Sequence, residues 1–327
     1  MFSRMMNSFY YGKSGKGDFK KEDLPKNRWQ LFWEMLRVRL AGISRINLMT
    51  CLVWIPTLIV IAMAANLFLG ADAIERRTNE VGASYTAFVY NATVDEEGNI
   101  TSPANEMPIQ NAAFTILIFL VPCILITGPV NAGLSYVTRN WARDEHAFAW
   151  SDFKDAVKEN WKQGLGISAI TAFLPLLIFF CVSFYSQMQT ENMLFIVPEM
   201  IVLVIGLLWV LALVFFYPLM VSYRMKFSQL IKNGLMLAIA RFPMVISIRL
   251  VTLIPTFICL AVAFFANPLF ALMGLAGWYI IIGTGLTRFI YASFTNAVFD
   301  RFINSHIEGV EVNRGMASDE DAEELSE

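Results

Sequence analysis

The chain has 327 residues, 56% of them hydrophobic and only 16% charged, with a mean hydropathy of +0.53 and a formal net charge of −2. Too little polar surface remains for a soluble globule of that size, and a near-neutral chain offers no field for nucleic acid. The composition is that of an integral membrane protein.

Residues 1–46 carry helical patterns around a Gly/Lys-rich connector, Gly12 to Gly17. Gly12-Lys13-Ser14 resembles the end of a phosphate-binding loop, but the position of the required upstream glycine is Asn7 and no strand precedes it, so nucleotide binding is excluded. Further on, Trp29, Phe32, Trp33, Leu36, Leu40 and Ile43 recur at helical spacing, with Arg28, Glu34, Arg37, Arg39 and Arg45 between them. This predicts an interfacial helix that meets anionic headgroups with its basic groups, either as an anchor alone or as a docking element.

Six apolar stretches follow, at about 47–69, 112–136, 165–186, 199–221, 245–266 and 269–288. Each is long enough, at about 1.5 Å per residue, to cross a hydrocarbon core about 30 Å thick. They lack the alternation of barrel strands, and lipid tolerates no unpaired backbone, so all six are predicted to be α-helices. The first reads as an uncleaved anchor, because no small-residue cleavage site follows it. Lys and Arg number 10 before the first span, 5 between spans two and three, 5 from Arg224 to Arg249 and 3 from Arg288 onward, whereas the opposite side holds only Arg76 and Arg77. The positive-inside rule then places both termini in the cytoplasm.

Between the spans, residues 70–111 form an acidic outer loop whose run Tyr85 to Val94, followed by Asp95-Glu-Glu-Gly-Asn99, predicts a β-hairpin. It either caps the helix ends or contacts a partner, and Asn91-Ala-Thr93 fits a glycosylation sequon. Residues 137–164 are amphipathic and rich in tryptophan. Arg139, Arg143, Asp144 and His146 offer polar contacts there, and Trp141, Trp150 and Trp161 are anchors either for headgroups or for a partner's pocket. The polar tail at 308–327 ends in an acidic run and is predicted to be disordered.

Pro56, Pro175 and Pro255 each lie about ten residues into an odd-numbered span, and Pro129 and Pro218 precede the aromatic exits of spans two and four. The fold expected is therefore an all-α membrane bundle of three related hairpins, spans 1–2, 3–4 and 5–6. Such kinks flank binding sites in transporters and also occur in inert bundles.

The densest motif runs from Gly128-Pro129 through Arg139-Asn-Trp-Ala-Arg143 to Ser151-Asp-Phe153 and Trp161-Lys-Gln163. With Phe9-Tyr-Tyr-Gly-Lys-Ser-Gly-Lys-Gly17 and Leu24-Pro25, it resembles the YesL-like family of bacterial polytopic membrane proteins, a domain of unknown function. The resemblance implies the bacterial cell membrane and an accessory role beside carbohydrate ABC importers, and it carries over no catalytic residue.

Other chemistries have little footing. Cys51, Cys123, Cys181 and Cys259 fall in separate spans and the chain has two histidines, so neither a metal site nor a cofactor is expected. No HExxH, GxSxG or embedded acid–base pair suggests an enzyme. A standard ABC permease is excluded because Trp161 stands where its coupling loop has glycine. A solute carrier acting alone remains the alternative, with Glu199 as the candidate intramembrane acid, although Pro198-Glu199 also suits an ordinary helix start. Arg249 and Arg288 are placed to snorkel.

Overall fold

A computed structural model describes residues 24–69, 71, 73–79, 82, 84–90, 93–95, 97, 100–102 and 105–316. The Gly12-Lys13-Ser14 triplet, the first residues of the glycosylation sequon and the end of the acidic tail lie outside these. Among the described residues, six helices are long and apolar enough to cross a membrane, which makes this a multi-pass membrane-type protein.

The first crossing consists of α1 (Arg28–Thr50), a 3₁₀ turn (Cys51–Trp54) and α2 (Ile55–Leu69). Asn27 starts it as N-cap, its side chain accepting from Gln30 N at 2.9 Å. The interfacial helix expected to be separate from span one is thus its continuation. Nothing between Ile43 and Thr50 breaks a helix, so the amphipathic and apolar halves join. Pro56 lies in the first turn of α2, and because it donates no hydrogen bond the turn before it tightens to 3₁₀.

Among the described residues that follow are five strands: β1 (Ala73–Thr78), β2 (Ser84–Tyr90), β3 (Thr93–Val94), β4 (Ile100–Ser102) and β5 (Asn105–Pro108). The expected hairpin is present as the β3–β4 ribbon, its turn held by Glu97 N donating to Asp95 Oδ1 at 3.0 Å. A three-stranded antiparallel sheet, β1-β2-β5, was not foreseen. Its middle strand buries Ala87, Phe88 and Val89, and Tyr90 OH donates to Leu67 O at 2.9 Å, which ties the sheet to the end of α2. Arg77 pairs with Glu75 at 3.0 Å and Glu106 at 3.6 Å, so a basic residue on this side is neutralised in place.

The remaining helices are α3 (Ile109–Ala142), α4 (Ser151–Met188), α5 (Ile196–Ser222), α6 (Phe227–Ala240), α7 (Phe242–Phe265), α8 (Pro268–Trp278) and α9 (Thr284–Phe302). A π-helical turn, Tyr279–Gly283, joins α8 to α9 within the sixth crossing. Consecutive spans one and two, three and four, and five and six are in contact, as hairpins are, but the most extensive contact joins α3 to α4. There Gly128 and Gly164 meet backbone to backbone. A Cβ on Gly128 would fall on the Gly164 carbonyl and on Ser168 Oγ, which itself donates to Leu125 O at 2.7 Å. Close approach of two backbones accounts for the Gly128-Pro129 motif.

Helix α5 lies at the centre: its most apolar window is 44% buried, against 17% or less for the other five spans. Phe215, Phe216 and Leu219 are fully buried there. A second core forms at the end of the bundle that holds both described termini, where Leu31, Met35 and Ile43 of α1 pack with Trp141 of α3 and Phe289 of α9. This end carries most of the Lys and Arg and is called the basic end below. The 34 residues of α3 and 38 of α4 correspond to about 51 and 57 Å, well beyond the roughly 30 Å of a hydrocarbon core. Since α3 starts beside the sheet, the excess of both helices stands at the basic end, together with the start of α1 and the end of α9.

Candidate functional site at the basic end

The basic end is organised around a buried carboxylate. Asp300, only 2% exposed, accepts from Asn304 Nδ2 at 2.6 Å and from Asn313 N at 3.2 Å, and it forms an ion pair with Arg28. Arg28 also donates to Asn313 Oδ1 at 2.7 Å, so the start of α1, the end of α9 and the chain after it are joined at one point. Asn304 Oδ1 in turn accepts from Tyr223 OH at 2.7 Å. Burial pushes the Tyr223 phenol up to about 12, against the pull of nearby Arg139, so it remains a donor at every physiological pH. Asn296, one turn before Asp300, donates to the Arg139 carbonyl at 3.3 Å.

Over this network lies an open cleft of about 460 Å³, walled by the ends of α3 and α5 and roofed by residues 307–314. Residues 308–316 of the predicted tail are held by contacts, and the rest of it lies outside the described residues: Arg143 donates to Glu311 O at 3.4 Å, Arg314 pairs with Glu145 at 3.5 Å and Glu311 at 3.3 Å, and Met316 packs on the second core. The fold back depends on Gly309 and Gly315, whose φ of 79° and 82° suit glycine, and on Asn313 at 60°. These polar partners compensate for what the tail lacks in apolar residues.

The predicted docking residues divide into two groups. Trp141 and Arg143 are buried, and Arg139, of intermediate exposure, lines the cleft. Trp141 is 3% exposed, lies under Gly42 of α1 and donates to Ala147 O at 3.3 Å, while Arg143 pairs with Glu145 at 3.2 Å. Trp141 and Arg143 thus present no free surface: α3 extends through Ala142, and its last turns pack on the second core. Asp144, His146, Trp150 and Trp161 are exposed, as is Phe148, which the sequence did not single out. Asp144 adopts a left-handed φ of 55° that turns the chain out of α3. The loop is fixed at its far end as well, where Phe148 N donates to Asp152 Oδ2 at 2.9 Å in the first turn of α4 and Trp150 stacks on Phe153. Lys154 lies over the Trp150 ring and Lys162 over that of Trp161.

Within the spans, Glu199 stands in the first turn of α5 and accepts from Gln189, a helix-start role at the end of the bundle away from the cleft. Pro129, Pro175, Pro218 and Pro255 lie inside continuous helices, and neither the cleft nor a second one of about 350 Å³ between α1 and residues 147–149 is lined by any of them or by Pro56. Arg249 and Arg288 do not snorkel free. Arg249 donates to Tyr291 OH at 2.9 Å and Val210 O at 2.5 Å, and the Arg288 guanidinium stacks 4.6 Å from the Tyr217 ring centre. Among the described residues, no cluster of His, Cys, Asp or Glu is arranged to hold a metal ion.

Sequence reasoning missed Asp300, Asn304, Tyr223 and Asn47. The signal for the first two was available: Asn296, Asp300 and Asn304 recur every four residues and form one polar helical stripe. Asn47, 1% exposed in α1, spans to the sixth crossing, donating to Tyr279 O at 2.9 Å and Ile280 O at 2.7 Å and accepting from Gly285 N at 2.7 Å. It thereby bonds backbone groups of the π-turn and of the helix just after it.

Residues 107–182 match a family model described as a protein of unknown function, DUF624. The matched stretch takes in α3, the exposed loop and most of α4. No curated protein and no solved structure matches the chain.

Proposed function

We propose that this protein is a non-enzymatic accessory subunit of a carbohydrate ABC importer, seated in the bacterial cytoplasmic membrane with its basic end and both termini in the cytoplasm. The observation that carries this reading is the loop between α3 and α4. Arg143 and Glu145, with Trp141 at the end of α3, fix its backbone, while Phe148 at 68% and Trp150 at 50% exposure, and Trp161 at 47% in α4, face outward. Aromatic side chains on a preorganised backbone make efficient interface anchors, because little entropy is lost when they are covered. The loop also falls within the stretch that matches the family model, and the sequence likeness to YesL-like proteins supplies the importer as partner. Lipid alone remains a listener to the same aromatics, so the test compares the two. In gentle detergent extracts, an importer component should co-purify with the protein, and Phe148→Ala with Trp150→Ala should lower its yield about tenfold while leaving the melting temperature unchanged. Recovery of the protein without any importer component would defeat the reading.

A second reading, a small-solute carrier acting alone, is favoured by one observation: Arg249 and Arg288 face Tyr291 and Tyr217 inside the bundle, and intramembrane cations commonly mark solute paths. Sugar uptake by proteoliposomes holding the protein alone, abolished by Arg288→Gln, would establish it.

A further inference from the structure

We propose that the cleft at the basic end binds a phosphate group, with Arg139 as its principal ligand. The charges lining the cleft do not balance. Arg139, Arg143 and Arg314 contribute three guanidinium groups, and Glu145 and Glu311 contribute two carboxylates. Both carboxylates are engaged: Glu145 bridges Arg143 and Arg314, and Glu311 holds Arg314. Asp300 beneath them is committed to Arg28. The surplus positive charge therefore rests on Arg139. Its guanidinium donates to Asn140 Oδ1 at 3.2 Å, and its Nε is buried with no acceptor among the described residues.

A half-buried guanidinium with unused donors is costly to leave bare, and the planar fork of Arg matches an oxyanion. The neighbouring groups suit such a guest. The Tyr223 hydroxyl is held by Asn304 through its proton, which leaves it rigid at the wall of the cleft, and the cleft's volume of about 460 Å³ accommodates a phosphate with a substituent of several atoms. A bound anion would also draw Arg314 inward, bringing residues 307–314 down over the guest.

The depth of the site admits two sources of phosphate. Arg139 lies 30 residues along α3 from Ile109, about 45 Å from the sheet end and so at or just beyond the headgroups of that leaflet. A phospholipid headgroup and a soluble phosphate compound both fit, and the experiment separates them. The full-length protein is purified in a neutral detergent and titrated with inorganic phosphate at constant ionic strength, with melting temperature and hydrogen exchange of residues 307–314 as readouts. In parallel, retention of phosphatidylglycerol is followed by native mass spectrometry. Protection of 307–314 by inorganic phosphate supports the site with a soluble guest, and retention of phosphatidylglycerol without any phosphate effect supports it with a lipid guest. In either arm Arg139→Gln should weaken binding about tenfold to a hundredfold, the worth of a charge-assisted contact. Glu311→Gln, at an exposed position that frees Arg314, should strengthen it, and this variant decides the matter if Arg139→Gln fails to fold. Absence of binding in both arms, equal binding by Arg139→Gln, or no gain in Glu311→Gln overturns the proposal.

Discussion

Asp300 shows how one buried side chain can hold three segments of chain. Removing it leaves Arg28 and Asn304 without their acceptor. Breaking a fully buried pair costs about 3–5 kcal/mol; Arg28 is 26% exposed and recovers some hydration, so Asp300→Ala should cost about 2–3 kcal/mol in detergent unfolding experiments. Tyr223 gives a pH signature of its own. Its phenol titrates higher in the fold than in the unfolded chain, so its contribution is complete below about pH 10 and is lost as the pH rises through 12. Tyr223→Phe should therefore flatten the alkaline limb of the stability profile while costing about 1 kcal/mol at neutral pH, the worth of its bond to Asn304. At this scale the sequence was legible in residue type more than in direction. Arg139, Trp141 and Arg143 stood out as chemistry, but whether a side chain at the end of a helix faces a partner or a core depends on where the helix stops, and α3 continues through Ala142.

The elements were the most legible part. Long apolar runs fix the six crossings by length alone, and the turn after Val94 announced its hairpin. Two things were not readable. Strand β1, Ala-Ile-Glu-Arg-Arg-Thr, lacks alternation and owes its conformation to pairing with β2. The π-turn in the sixth crossing has no composition of its own, since Tyr279-Ile-Ile-Ile-Gly283 would serve an ordinary helix. Its backbone is instead bonded by Asn47, more than two hundred residues away in sequence. Asn47→Leu keeps the volume but removes three hydrogen bonds made by a buried side chain. The expected loss is about 3 kcal/mol or more, measured as a lower melting temperature, with Asn47→Asp retaining the acceptor for Gly285 and losing the two donations.

For the molecule as a whole, the asymmetry between its two ends is the main result. One end is a small sheet seated on the helices; at the other, a helical stub extends the lengths of α3 and α4 by about 21–27 Å over a hydrocarbon core. The cleft, the carboxylate hub and the exposed aromatics all belong to the stub. The charge count across loops forecast which side carries the basic residues, though not that four helices build them into one body. Phe148→Cys offers a direct test of orientation. A membrane-impermeant maleimide should label it in inverted vesicles and leave it unlabelled in right-side-out ones, and the reverse pattern would turn the proposed topology over.

The bridge from Asn47 to the π-turn also has a meaning in time. The first crossing leaves the ribosome with a bare amide, and its acceptors, Tyr279 and Ile280, are 232 and 233 residues behind it. At about 5–20 residues per second, that is a wait of roughly 10–50 s in the membrane. The first crossing thus finds these polar partners only after the sixth has been made. A nascent chain stalled before Tyr279 presents an unsatisfied asparagine to lipid, a mark by which quality control can tell an unfinished copy from a finished one.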